Sequence, residues 1–422
     1  MTSSAPRSIL PPLSVEEQQH SAAVAARLQE GIVAAGGGLS FERFMELALY
    51  APGLGYYSAG STKFGAAGDF VTAPEISDTF SRCVARQCAE VLAQTGAAGG
   101  GAEILELGAG TGRMAAKVLE TLAAEGVLPE RYSILEVSAD LAQRQRERMS
   151  ALPASLRERV VWLDRLPERP ISGVILANEV LDALPCQRFV VSTAGVLEVA
   201  VAAAQGVLPP WGVPSRTAQS SGAASGAPED GFVERVVAPG VALATAAEAL
   251  LRELPEPLPV GYTSEICLRV EPWVAGVGAC LGRGLMLLFD YGLPRRHYYH
   301  PQRVSGTLQC HFKQFAHDDP YINVGVQDIT AWVDFTRVAE AGLAAGLDVA
   351  GFCTQAAFLL ATGIERFVAE AVGTVEQARL AGEARRLLMP GEMGEAFKVM
   401  ALTRDYQAGL SGFGLQDLRH SL

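Results

Sequence analysis

Glu103-Ile-Leu-Glu-Leu-Gly-Ala-Gly-Thr-Gly-Arg113 is an apolar run that breaks into alternating glycines. The first five residues read as a short buried strand, Gly108 to Gly112 as a turn, and residues 113–125 as a helix. Glycines let a backbone approach a ligand closely, and a helix N-terminus presents free N–H groups. The spacing G-x-G-x-G differs from the dinucleotide fingerprint, which needs glycine where Arg113 stands. That disfavours a nicotinamide-dependent reductase, and no Walker-type G-K-[ST] occurs.

Outward from this turn the chain alternates strand and helix. Strands are predicted at 133–137, 160–163, 173–177 and 284–290, with final strands at 347–352 and 397–402. The helices are expected at 77–95 and 139–150. The alternation implies an α/β fold with a Rossmann-like, doubly wound, mostly parallel sheet. N-terminal to it, Ser14 and Glu17 form a capping-box pattern for a helix over 14–35, and a second helix starts at Ser40.

Four segments follow from this reading. Residues 1–76 carry the N-terminal helices and a glycine-rich loop covering the active site, and residues 77–188 the first part of the core. Residues 189–283 are an inserted helical and β element, with a flexible Gly/Ser/Pro-rich segment at 204–230. Residues 284–422 complete the core and include a substrate-side loop at 293–330.

Candidate ligand contacts lie at the carboxyl ends of the strands, where such sheets bind ligands. Glu136 closes the second strand and can accept both hydroxyl hydrogens of a ribose. Ala177-Asn-Glu-Val-Leu-Asp-Ala-Leu-Pro185 closes the fourth, so Asn178, Glu179 and Asp182 are expected to face cofactor and substrate. E-x-G-x-G-x-G followed by an acidic second-strand end is the usual arrangement of S-adenosylmethionine-dependent methyltransferases, which bind no pyrophosphate.

Gly68-Asp-Phe-Val-Thr-Ala-Pro-Glu75, Glu106-Leu-Gly-Ala-Gly-Thr-Gly112 and Asn178-Glu-Val-Leu-Asp-Ala-Leu-Pro185 together resemble the MidA-like methyltransferases. Phe289-Asp-Tyr-Gly292, His317-Asp-Asp-Pro320 and Thr354-Gln-Ala-Ala-Phe-Leu359 extend the likeness over nearly the whole chain. The resemblance implies a class I methyltransferase core and S-adenosyl-L-methionine as cofactor. It also implies a protein arginine side chain as acceptor, as in the family's mitochondrial complex I assembly factor, and hence a respiratory-complex subunit as a candidate target. A homodimer is implied too, without support from the periodicity. The cofactor-side candidates are Glu106, Gly108, Gly110, Gly112, Glu136, Asn178, Thr72 and Pro74. The catalytic candidates are Glu179 first, then Asp69 and Asp182, with Asp290 behind them. Two other readings stay open: a small-molecule methyltransferase, and a non-catalytic assembly protein that keeps the fold.

Composition bounds the rest. The 422 residues carry 34 Lys+Arg against 46 Asp+Glu, a net −12, which disfavours nucleic-acid binding. Only four lysines occur, a codon-usage signature of a GC-rich genome. Seven scattered cysteines without C-x-x-C form neither a disulfide framework nor a zinc site, and they fit a reducing compartment. With no secretion-signal pattern and no apolar run of membrane-spanning length, a cytoplasmic protein is expected. His297, His300, His311, His317, Asp318 and Asp319 cluster in sequence and are read as a loop over substrate, with no metal. Cys310 beside His311 is not read as a nucleophilic pair, because neighbours on a strand face opposite ways.

Overall fold

The computed structural model describes residues 10–59, 71–96, 101–204, 213–214 and 231–422. Two helices open this chain, α1 (Val15–Ala34) and α2 (Phe41–Tyr50). Ser14 and Glu17 close a reciprocal capping box at the first, and Ser40 caps the second.

Seven strands make the central sheet: β1 (Glu103–Leu107), β2 (Arg131–Leu135), β3 (Val160–Leu163), β4 (Ile171–Asn178), β5 (Leu281–Leu293), β6 (Asp348–Thr354) and β7 (Phe397–Arg404). Their spatial order is β3-β2-β1-β4-β5-β7-β6, with β7 antiparallel to both neighbours and all other pairs parallel. This is the class I methyltransferase sheet. The chain leaves β1 towards β2 on one side and returns through β4 on the other, so a crevice opens at the carboxyl ends between them. Val333–Asp334 adds a short parallel pairing to the far end of β5.

All five residues of β1 are buried, as a strand covered on both faces requires. One face is covered by α3 (Asp78–Gly96) and α4 (Arg113–Ala124), with Met149 of α5 (Ala139–Ser150) joining them. The other is covered by α6 (Val270–Ala279) and α7 (Phe335–Ala344). The helix α4 is apolar at Met114, Ala115, Val118, Leu119 and Leu122, the spacing of one inward stripe.

The strands expected at 173–177, 284–290, 347–352 and 397–402 run Ile171–Asn178, Leu281–Leu293, Asp348–Thr354 and Phe397–Arg404, and the largest displacement of a whole strand is the second's. The second strand spans 131–135, not 133–137, because Tyr132, Ser133 and Ile134 are its buried residues while Val137 is 77% exposed. Glu136 is therefore the first residue beyond the strand. The helix α7 carries no special start signal in the sequence beyond Asp334, whose carboxylate caps it through the Thr336 and Arg337 N–H groups.

A second sheet follows β4. Gln187–Ser192, Gly195–Ala203 and Phe232–Val237 pair antiparallel, Thr263–Ile266 adds to one edge and Val213–Pro214 to the other. Leu39–Ser40, just before α2, also pairs with this sheet through Leu39 and Val201. A separate core joins α1 and α2 to Val201, Cys310 and Ile329. The rest of the 204–230 segment, whose flexibility was expected from composition, lies outside the described residues, as does Asp69.

Segment 293–330, expected as a loop, contains a short helix at Arg295–Tyr298 and a small three-stranded sheet of Gln309–Phe312, Phe315–His317 and Asp328–Thr330. Burial pushes the His311 imidazole down to about 4. Among the described residues no three His, Cys, Asp or Glu side chains are grouped to hold a metal, and no helix is long and apolar enough to cross a membrane.

Candidate active site

A cavity of about 500 Å³ lies over the carboxyl ends of β1, β2 and β4. One side is made by the glycine turn and Glu136. The other is made by residues 178–185, by Tyr50 and Tyr57, and by Arg269 with Trp273 of α6.

The backbone of the turn favours glycine at three positions. Gly108, Gly110 and Gly112 have φ of 64°, 54° and 78°, in the left-handed region that favours glycine. A Cβ on Gly110 would meet nothing within 4 Å, so the space beside it is open to a ligand. Gly108 donates its N–H to Leu135 O at 3.0 Å, which ties the turn to the end of β2.

Two carboxylates face this turn. Glu106 is buried at the end of β1 and accepts the Tyr132 hydroxyl at 2.7 Å. Burial pushes its carboxyl up to about 7 against that hydrogen bond, and the Glu136 charge adds to the rise. Glu136 accepts the Ser138 N–H at 2.9 Å and the Gln145 amide at 2.9 Å.

The short helix Ala73–Ile76 packs over the turn. Thr111 donates to Glu75 Oε1 at 2.5 Å, and Arg113 donates to Glu75 O at 2.7 Å and Asp78 Oδ1 at 2.9 Å. Arg113, where a dinucleotide site would carry glycine, is thus the clamp that holds residues 75–78 against the turn. Thr72, Pro74 and Glu75 line the cavity as a result.

Across from the turn, β4 ends in a strained residue. Glu179 has φ 55°, unusual for a residue with a Cβ, and such outliers concentrate at functional sites. Its N–H still bonds Phe289 O at 2.9 Å, so the sheet pairing continues to the last residue before the turn. Its carboxylate accepts the Asn178 amide at 3.1 Å and the Ala73 N–H. Burial, helped by the nearby Asp182 charge, pushes Glu179 up to about 8. Asp182 is 5% exposed, and burial pushes it up to about 6. Asp290, on β5, accepts the N–H groups of Leu181 and Asp182 and is raised in the same direction by its own burial.

The wall near Glu179 is aromatic. Tyr50 stacks on Tyr57 with ring centroids 5.4 Å apart. Tyr50 donates to Ala183 O and Tyr57 to Asp328 Oδ1, both at 2.9 Å. Arg269 is paired with Glu42 at 2.6 Å and Glu46 at 2.9 Å. The two cations on the cavity wall, Arg113 and Arg269, are therefore both neutralised within the chain, while six carboxylates line it.

The structure gathers Glu106, Gly108, Gly110, Glu136, Asn178, Glu179, Asp182, Thr72 and Pro74 around one cavity. Gly112 stands behind the wall as the N-cap of α4, close to Gln145 and Met149. Sequence reading missed the Tyr50–Tyr57 stack, Arg269 and Gln145. For Gln145 the signal was present, as the one polar residue in the inward stripe Leu141, Ala142, Gln145 and Met149.

A cradle of left-handed glycines without a dinucleotide-type third glycine fits a cofactor that lacks a pyrophosphate. Asn178 Oδ1 is buried with no hydrogen-bond partner among the described residues, so the site retains polar capacity for a ligand.

Comparison with known proteins agrees with this fit. Residues 83–353 match the Methyltransf_28 family. A superfamily member from Burkholderia thailandensis, solved with S-adenosyl-homocysteine bound, is 39% identical, with a TM-score of 0.87 over 98% of this chain and 100% of that one. The mitochondrial protein arginine methyltransferase NDUFAF7 homolog of Drosophila melanogaster is 26% identical over 93% of this chain and 87% of its own length. Its Danio rerio counterpart is 30% identical over 40% of this chain and 44% of its own.

These relatives correct one expectation. The Drosophila melanogaster and Danio rerio proteins are named as mitochondrial, which overturns the cytoplasmic reading. Reduced cysteines point to a reducing environment without distinguishing one such compartment from another. The chain belongs to the Methyltransf_28 family of S-adenosyl-L-methionine-dependent methyltransferases, and S-adenosyl-L-methionine is its cofactor.

Proposed function

We propose that the acceptor is the guanidinium of a protein arginine, held and deprotonated by Glu179 with Asp182 beside it. The observation that carries this reading is the pair of carboxylates on the strained turn after β4, sharing one cavity with the glycine cradle. The curated relatives are named for arginine methylation, which supports the same acceptor.

The cofactor end is assigned residue by residue in the same proposal. Gly108 and Gly110 cradle the methionine portion, with Gly112 turning the chain into α4 behind them. Glu106 faces its ammonium group and Glu136 its ribose hydroxyls. Thr72, Pro74 and Asn178 complete the wall. Bound there, S-adenosyl-L-methionine supplies an electrophilic methyl group on a sulfonium.

The protein must then solve one problem. A guanidinium keeps its proton up to a pH above about 12, so it is a poor nucleophile in water. A buried carboxylate that has lost its own proton can grip two N–H groups side by side and draw one proton away. Two features support Glu179 in this role: its backbone N–H is held by Phe289 O, and its side chain is oriented by Asn178 and Ala73. The Tyr50–Tyr57 stack gives the cation an aromatic wall, and the paired Arg269 adds no free positive charge against it.

The test is methyl-labelled cofactor with an arginine-rich protein fraction, followed by acid hydrolysis. Labelled methylarginine, absent with Glu179→Gln, is the expected result. Label recovered only in another amino acid or in a small molecule sinks the proposal.

A further inference from the structure

We infer that Gln145 is a positioning residue for the cofactor, a clasp that joins the glycine turn to Glu136. The inference rests on the reading of Glu136 as the ribose-binding carboxylate.

Gln145 lies on the inward face of α5 and is fully buried. Its amide nitrogen donates to Gly110 O at 2.9 Å and to Glu136 Oε2 at 2.9 Å. Its amide oxygen accepts the indole N–H of Trp162, at the end of β3, at 3.0 Å. One side chain thus touches the loops after β1 and β2 and the strand beyond them. Both donors and the acceptor are in use, the condition under which a buried amide is tolerated.

The orientation of the amide is forced. Trp162 can only donate, so the oxygen must face it. The nitrogen then faces two acceptors. Rotating the amide by half a turn would set oxygen against a carbonyl and a carboxylate, and N–H against N–H. With Glu136 Oε1 already on the Ser138 N–H, the second bond from Gln145 fixes the carboxylate plane. The carboxylate is thereby oriented by the protein before any ligand arrives. The same amide holds the carbonyl of Gly110, the glycine whose open side faces the cavity. Together with the Gly108–Leu135 backbone bond, Gln145 fixes the distance between the turn and the carboxylate from behind the cavity wall.

The experiment is calorimetric titration of the full chain with S-adenosylhomocysteine and with its 2′-deoxy analogue. In the wild type the missing hydroxyl weakens binding by some factor. In Gln145→Leu, binding of the complete ligand is expected to weaken about tenfold or more, and the 2′-deoxy factor to shrink towards one. Gln145→Met, closer in volume and flexibility, serves if the leucine variant fails to fold, with near-UV circular dichroism as the check. Trp162→Phe, which frees the amide to rotate, is expected to reproduce part of the loss. Equal weakening of both ligands, or no weakening, overturns the clasp, because a merely structural residue would not discriminate a ribose hydroxyl. Glu136→Ala reports separately: an unchanged 2′-deoxy factor there removes the ribose reading itself, and the clasp with it.

Discussion

Asp290 Oδ2 accepts the backbone N–H of Leu181 at 2.9 Å, so β5 holds the turn that follows β4. The bond ties the two central parallel strands together where Glu179 and Asp182 are displayed. Asp290→Asn keeps one oxygen acceptor for the Leu181 and Asp182 N–H groups but turns its amide nitrogen towards the Tyr291 N–H, so it should lose less stability than alanine. Asp290→Ala takes the acceptor from three backbone N–H groups, those of Leu181, Asp182 and Tyr291, and should cost about 1–3 kcal/mol. Denaturant unfolding of the two variants checks this, and an alanine variant as stable as wild type would show that the turn holds itself.

Glu179→Gln should stabilise the protein at neutral pH while removing activity. The carboxyl is raised to about 8 by burial, against a value near 4.3 in an unfolded chain. Between these values the folded state keeps a proton that the unfolded state has lost, so stability falls as pH rises through that window. Glutamine removes the penalty. The Tm difference between variant and wild type should therefore be near zero at pH 4 and largest near pH 9. A difference that does not vary with pH argues against the raised value. Methyl transfer should fall by about 10²–10⁴, the usual effect of losing a general base.

Gly110→Ala separates conformational cost from ligand clash. The new Cβ meets no protein atom, so folding loses only the left-handed penalty of about 1 kcal/mol. Cofactor affinity should drop about tenfold or more, because the methyl group occupies the space beside the cradle. Gly36→Ala is the control, with φ 77° and an equally open surrounding. It should lose the same stability and no affinity. Equal affinity in the two variants would place the ligand elsewhere.

Cofactor binding near pH 7 should release protons. Glu106 titrates at about 7 in its buried position, and a cation set beside it favours the ionised form. Calorimetry in buffers of different ionisation enthalpy should show a buffer-dependent binding heat, reduced in Glu106→Gln. A binding heat independent of buffer would mean that Glu106 never faces the charge.

The sequence was most readable where backbone geometry demands particular residues. Three alternating glycines after a five-residue apolar strand announce a left-handed turn, and the strand–helix rhythm then orders the parallel sheet. Side-chain partnerships across the fold were less readable. Arg113 looked like a missing glycine, yet it is the clamp on residues 75–78. Tyr50 and Tyr57 sit far in sequence from Glu179 and are brought to the same cavity by tertiary ties: the Leu39–Ser40 pairing with the second sheet and the bonds of their hydroxyls to Ala183 and Asp328. Glu136 was placed at the right corner with its strand two residues out of register, since the exposed Val137 mimics a strand end. Asp69 and most of the 204–230 segment lie beyond what the structure describes.

The pairing of Leu39 with Val201 has a consequence for how such a protein diversifies. The aromatic wall stands on the N-terminal helices and the second sheet, with its own packed interior, while the glycine cradle belongs to the first half of the central sheet. On the proposed reading of the aromatic wall as the acceptor side, drift in residues 39–57 and 187–203 would change the acceptor while leaving the residues of the glycine cradle in place.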